Sequence, residues 1–214
     1  TRLWLVLETR GFYGIDESVR VTYAAKLAFG FKAMLSPLRT IVYPWMISIS
    51  FRIGSLLGLD DPDALLLFAR LSNIVLAVVL IYFIYRFCKE QYNKDVALIA
   101  SVLASMSWPL IYWSSRLMPE FISTVLLMAG IYLGYRASRK GSDAAYAGVV
   151  MAIVFLLRFH MLPLISCVAV FYLIQKRYKI MSYYLLSFLA VIIAYGIYEY
   201  ITRGLFLSSF YNFV

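Results

Sequence analysis

Histidine and cysteine are nearly absent from this chain, which has one His and two Cys in 214 residues. A lone His160 excludes multi-histidine metal sites. Cys88 and Cys167, one near a helix end and one inside an apolar run, supply neither a disulfide framework nor a cysteine zinc site. Charge is scarce as well: charged residues make up 14% and hydrophobic residues 63%. A soluble globular domain is about a quarter charged and about half apolar, so this composition excludes that class and requires lipid as the solvent for most of the chain. There is no glycine-rich phosphate loop, Walker signature, HExxH or nucleophile elbow, which removes a soluble nucleotide site. No alternation runs long enough for a membrane β-barrel, and no basic start with a small-residue cleavage site marks a signal peptide.

What is present is basic. Lys and Arg total 20 against 11 Asp and Glu, a formal charge of +9. In a soluble protein this would suggest nucleic acid. Here the cations sit in short loops between apolar stretches, so membrane topology accounts for them and no nucleic acid partner is expected. A spanning helix needs ~20 mostly apolar residues. The stretches 64–87, 95–112, 117–135 and 180–201 meet that requirement, and 144–157 and 161–175 form a shorter pair. The expected fold is an all-α polytopic membrane protein.

The loops "RFCKEQYNK" (86–94), "RASRKG" (136–141) and "KRYK" (176–179) are short and basic, which predicts a cytoplasmic location. Threading the spans from there puts residues 10–62, the turns "WSSRLMPE" and "RFHMLP", and everything after Thr202 on the opposite side. Four segments follow. Residues 1–9 read as the tail of a truncated first transmembrane helix and 10–62 as an outer-face loop. A helical bundle occupies 63–201, and 202–214 begins a further outer loop. Within the first loop, "ESVRVTYAAKLAFGFKAML" carries apolar residues at helical period with Arg20, Lys26 and Lys32 interspersed, as an interfacial amphipathic helix does. "YPWMISISFRIGSLLG" is interrupted by Arg52 and reads as a second such helix. If 41–58 instead crossed the membrane, the loop-charge pattern downstream would invert.

Against this apolar background, a few polar groups stand out at the outer face. Asp16 and Glu17 are adjacent carboxylates flanked by aromatics. They suit a general base, whose pKa partial desolvation raises, or simply the start of a helix. Asp60, Asp61 and Asp63 flank the start of a long span, with Asp61 before Pro62 reading as an N-cap and first-turn proline and a metal-binding cluster as the alternative. Arg116 and Glu120 flank a hairpin turn: they form a salt bridge, or Arg116 holds an anion such as phosphate with its planar fork. Arg158 and His160 share another outer turn, as substrate contacts or as side chains snorkelling to the interface. Glu199 lies near the outer end of the last span.

These residues occur within motifs whose order and spacing resemble a family of membrane mannosyltransferases. "GIDE" with Asp16 and Glu17 is similar to that family's "HPDE", and "LRTIVYP" (38–44) to its "LRSYVYP". "ARL" (69–71) is similar to "PRL", "SRLMPE" to "TRTLSN", and "FLLRFH" to "LLRFQ". The family is glycosyltransferase family 22, the mannosyltransferases of GPI-anchor and dolichol-oligosaccharide assembly, and the resemblance covers the N-terminal half of such proteins. Two departures, Gly14-Ile15 for His-Pro and Glu120 for Asn, leave sugar and acceptor open.

The resemblance implies a GT-C type helical bundle with juxtamembrane helices in the first outer loop. It implies a polyprenyl- or dolichyl-phosphate sugar donor, with mannose as the sugar, and a lipid-linked glycan acceptor, in contact with membrane lipids. Asp16, with Glu17, would be the catalytic base of an inverting transfer; Arg39, Arg116, Glu120, Arg158, His160 and Glu199 would bind substrate. No cofactor is called for, and a divalent metal stays open. The implied membrane is the endoplasmic reticulum or a prokaryotic or archaeal plasma membrane, with the active site on the non-cytoplasmic face. Two alternatives remain. One is another GT-C transferase, acting in protein O-mannosylation or aminoarabinose transfer. The other is a transporter or non-catalytic membrane protein, which would place its charges near the bilayer midplane.

Overall fold

A computed structural model describes residues 15–31, 40–138 and 141–211. These residues form ten α-helices and one 3-10 turn, without a strand. Two helices, Pro62–Gln91 and Tyr178–Arg203, are long and apolar enough to cross a membrane, and a bent pair makes a third if it is one span. The protein is an all-α integral membrane protein. It divides into two compact units, Thr1–Leu35 with Ile41–Val125 and Ser36–Thr40 with Leu126–Val214.

In the first unit, α1 (Ile15–Ala28) opens with acidic residues and ends with Lys26, both favourable to the helix dipole. Glu17, Val21 and Ala24 are its buried face, at the i, i+4, i+7 spacing of one helical stripe. That stripe packs on α2 (Val42–Leu56), which in turn packs on α3 (Pro62–Gln91). The cations in this pair have local work. Arg52 Nη2 donates to Leu27 O at 3.2 Å, satisfying a carbonyl at the end of α1. The Arg20 guanidinium stands 5.8 Å from the Tyr43 ring centroid.

α3 starts as its sequence predicts: Asp61 accepts from Ala64 N at 3.0 Å, and Pro62 occupies the first turn. At 30 residues it is the longest helix among the described residues. The expected span 95–112 is broken. α4 (Lys94–Met106) and α5 (Trp108–Ser114) meet at 58°, with Ser107 extended between them. Pro109 lacks the N–H that would continue the ladder and its ring crowds the carbonyl of the preceding turn, so the helix kinks there. The expected span 117–135 is helical as α6 (Pro119–Ala137). Glu120 and Arg136 confine its uncharged part to residues 121–135, roughly 22 Å of helix against a ~30 Å hydrocarbon core.

The second unit holds the rest of α6, α7 (Asp143–Leu157), the 3-10 turn Phe159–Met161, α8 (Leu162–Ile174), α9 (Tyr178–Arg203) and the short α10 (Ser208–Tyr211). α7 and α9 share the most extensive helix–helix contact. Two tyrosines tie the unit internally. Tyr172 OH donates to Gly134 O at 2.6 Å and Tyr184 OH to Ile165 O at 3.0 Å, with the two rings edge to face. Each bond gives a buried hydroxyl its partner, which an apolar surrounding requires. At the loop end, Arg136 pairs with Asp143 at 3.3 Å, and Arg177 donates to Ser138 O.

Candidate functional site

The acidic motif sits in the first turn of α1, where Asp16 and Glu17 fall beside the helix N-terminus. The side chain of Asp16 lies outside the described residues, as does Arg39. Glu17 is fully buried. Its Oε1 accepts from Leu117 N at 3.1 Å and pairs with Arg70 Nη2 at 3.4 Å. A carboxylate removed from water is costly unless hydrogen-bonded and balanced by charge, and both conditions are met. The pair lies in the first turn of a helix, and Glu17 also makes a contact across one hundred residues of sequence.

That contact lands on the turn carrying Arg116. The turn is held a second time from α3, where Asn73 Nδ2 donates to Arg116 O at 2.6 Å. Arg116 itself is half-buried, its guanidinium carbon 3.7 Å from the centroid of Tyr112. Tyr112 meets Trp113 edge to face at 5.1 Å and Trp108 at 6.2 Å, so the arginine stands over an aromatic surface built by α5. Arg116 is in the turn rather than on α6, so it and Glu120 do not share a helical i, i+4 register. Glu120 is in the first turn of α6, and its carbonyl accepts from Ser123 Oγ and Thr124 Oγ1. The first unit thus brings together the acidic turn, a cation with an aromatic platform, and a polar helix start. Such a set can hold an anionic group.

The other predicted residues belong to the second unit. Arg158 ends α7 in extended backbone, with its N–H bonded to Val154 O and Phe155 O. His160 is exposed in the 3-10 turn that follows. Thr40 Oγ1 donates to Leu156 O at 2.7 Å, which brings one residue of "LRTIVYP" to the turn before Arg158. Glu199 is fully buried and committed to its own helix end. It accepts from Tyr195 OH at 3.1 Å, Arg203 Nη1 at 2.9 Å, Ser209 N at 3.1 Å and Ser209 Oγ. Gly204, in the left-handed region at φ 75°, turns the chain back so that Ser209 reaches it. Among the described residues, no three His, Cys, Asp or Glu group as a metal site would require.

Sequence reasoning passed over Arg70 and Asn73. The signal was available: a cation inside the apolar stretch 64–87 needs a partner, because an isolated charge there is expensive.

Residues 38–198, more than half of the chain, match the family described as dolichyl-phosphate-mannose-protein mannosyltransferase. The match takes in four of the five resembling motifs; Asp16 and Glu17 lie ahead of it and Glu199 just beyond. Human GPI alpha-1,2-mannosyltransferase 3 is 28% identical over 122 residues, which cover 56% of this chain and 22% of that protein. The chain therefore spans well under two thirds of that relative's length. No solved structure gives a significant match.

Proposed function

Since the chain belongs to the dolichyl-phosphate-mannose-protein mannosyltransferase family, we propose that it is part of a GT-C membrane enzyme that moves mannose from a dolichyl- or polyprenyl-phosphate donor. The acceptor is a hydroxyl of a lipid-linked glycan, in keeping with the GPI-mannosylating relative. The second reading is a protein hydroxyl, which the family's description favours.

In this reading Asp16 takes the proton from the acceptor hydroxyl. The oxygen attacks the anomeric carbon from the face opposite the phosphate, a new C–O bond forms, and the lipid phosphate leaves with the bonding electrons. The sugar centre inverts. Arg116 stabilises the charge growing on the departing phosphate, where a fixed, partly desolvated cation is most effective. Glu17 is a positioning residue, and Glu120 offers a polar contact at the same turn. Arg39, Arg158 and His160 belong to the second unit; Arg39 is proposed there as a positioning residue, and Arg158 and His160 as separate polar contacts for substrate. The donors gathered on Glu199 support a structural clasp there. The reaction lies on the non-cytoplasmic face of an endoplasmic reticulum or prokaryotic plasma membrane.

The observation that carries this reading is the bond from Leu117 N to Glu17, which fastens the residue next to Asp16 to the residue next to Arg116. The test is mannosyl transfer by the full-length protein from dolichyl-phosphate mannose, with GDP-mannose as the control donor. Asp16→Asn should lower kcat roughly 10²–10⁴-fold with expression and helicity unchanged. Near-normal turnover would remove Asp16 from the mechanism.

A further inference from the structure

α3 places two polar side chains inside the first unit, and both are used at the candidate site. Arg70 and Asn73 are each 2% exposed. They are three residues apart, hence neighbours on one helix face. They share the buried stripe of α3 with Leu65, Ala69, Ala77 and Leu80. Within this otherwise apolar stripe, Arg70 meets the carboxylate of Glu17 and Asn73 meets the carbonyl of Arg116. Arg70 thus acts on the acidic turn and Asn73 on the arginine turn. Glu17 closes the loop by accepting from Leu117 N, so the three elements are cross-braced rather than joined in series.

We propose that Arg70 and Asn73 are positioning residues, one turn apart on α3, that hold the Asp16–Glu17 turn and the Arg116 turn in a fixed register for mannosyl transfer. This rests on the roles given above to Asp16 and Arg116. A long apolar helix is a stiff reference for both turns. Catalysis by oriented groups is steeply sensitive to displacements of about 1 Å. The bond from Asn73 is the shorter of the two and acts on backbone, so it sets where the Arg116 side chain begins. The bond from Arg70 acts on the side chain adjoining Asp16 and is expected to affect the proton-transfer step.

Two arms test the proposal in the full-length protein. The first is kinetic, with dolichyl-phosphate mannose as donor. Asn73→Leu should lower donor kcat/KM roughly ten- to a hundredfold, and should add little to Arg116→Ala in the double variant, because residues in one network are not additive. Arg70→Lys, which keeps the charge and loses the fork, should lower kcat while donor KM stays the same. Multiplicative effects of Asn73→Leu and Arg116→Ala, or wild-type kinetics in Asn73→Leu, would overturn the proposal.

The second arm is independent of activity. With Cys88 and Cys167 replaced by Ser and Met118→Cys placed in the arginine turn, maleimide should label the introduced thiol severalfold faster when Asn73→Leu is added. An equal rate would show that the turn is not held from α3. Should Asn73→Leu fail to fold, Asn73→Asp keeps the size without the donor and replaces it in both arms. Should the wild-type protein transfer no mannose, the enzyme reading falls, and the labelling arm alone decides whether the brace exists.

Discussion

The backbone carbonyl of Tyr184 passes so close to Gly148 that a Cβ placed on the glycine would overlap it, and would overlap Ser187 Oγ as well. This close approach sets the packing of α7 on α9, and backbone cannot step aside as a side chain can. Gly148→Ala is therefore expected to destabilise the second unit by about 1–3 kcal/mol, outweighing alanine's helix-propensity gain of ~1 kcal/mol. Gly130→Ala is the control, because the atoms its Cβ would meet belong to the flexible side chain of Met151. Detergent unfolding followed by circular dichroism should separate the two, and equal stabilities would refute the account.

Arg116 on the Tyr112 ring gives a second prediction. A cation over an aromatic face is stabilised by roughly 0.5–2 kcal/mol, more when desolvated. Tyr112→Leu should raise the donor KM by about 2- to 30-fold on that range, while Tyr112→Phe should leave it nearly unchanged because the ring face remains. Arg116→Ala should cost more, roughly 10²-fold in donor kcat/KM, if the guanidinium meets the leaving phosphate. Steady-state kinetics with dolichyl-phosphate mannose read all three. An Arg116→Ala enzyme with wild-type donor kinetics would exclude the phosphate role.

Glu199 should behave as a structural group. Removing it by Glu199→Leu takes away the carboxylate that accepts from Arg203 and from the Ser209 N–H, a loss of about 1.5–3 kcal/mol for a bond to a charged group. The melting temperature is expected to fall while the donor KM of the protein that remains folded is unchanged. A donor KM shift with unaltered melting would instead make Glu199 a substrate contact.

Sidedness can be measured directly. Cysteines introduced at positions 16 and 116 of a cysteine-free protein should both react with a membrane-impermeant maleimide from the non-cytoplasmic side. One at position 94, where the basic segment after α3 meets α4, should react only after permeabilisation. Labelling of 16 and 116 from opposite sides would rule out a common site.

The helices were largely legible in the sequence, and the site only partly so. Apolar runs of the right length appear as helices, and Asp61-Pro62 marks the start of α3 by local chemistry alone. The break at Ser107 was less plain. Pro109 was visible, but the surrounding apolarity reads the same whether the helix is straight or bent by 58°. Among the site residues, Asp16, Glu17 and Arg116 could be picked out because charge is rare here. Of their partners, Arg70 carries the same signal, a charge inside an apolar stretch that needs a counter-charge, whereas Asn73 has no rarity to mark it.

The sequence by itself determined that this is a helical membrane protein, since only lipid tolerates so much apolar surface with so little charge. It also set helix starts such as Asp61, since a cap depends on residues within one turn. Tertiary structure decided which polar groups meet. The bond between Glu17 and Leu117 crosses a hundred residues, and no local propensity encodes such a distance. It exists because the fold brings the start of α1, the buried stripe of α3 and the arginine turn together, and a buried charge must find its partner wherever the fold delivers one.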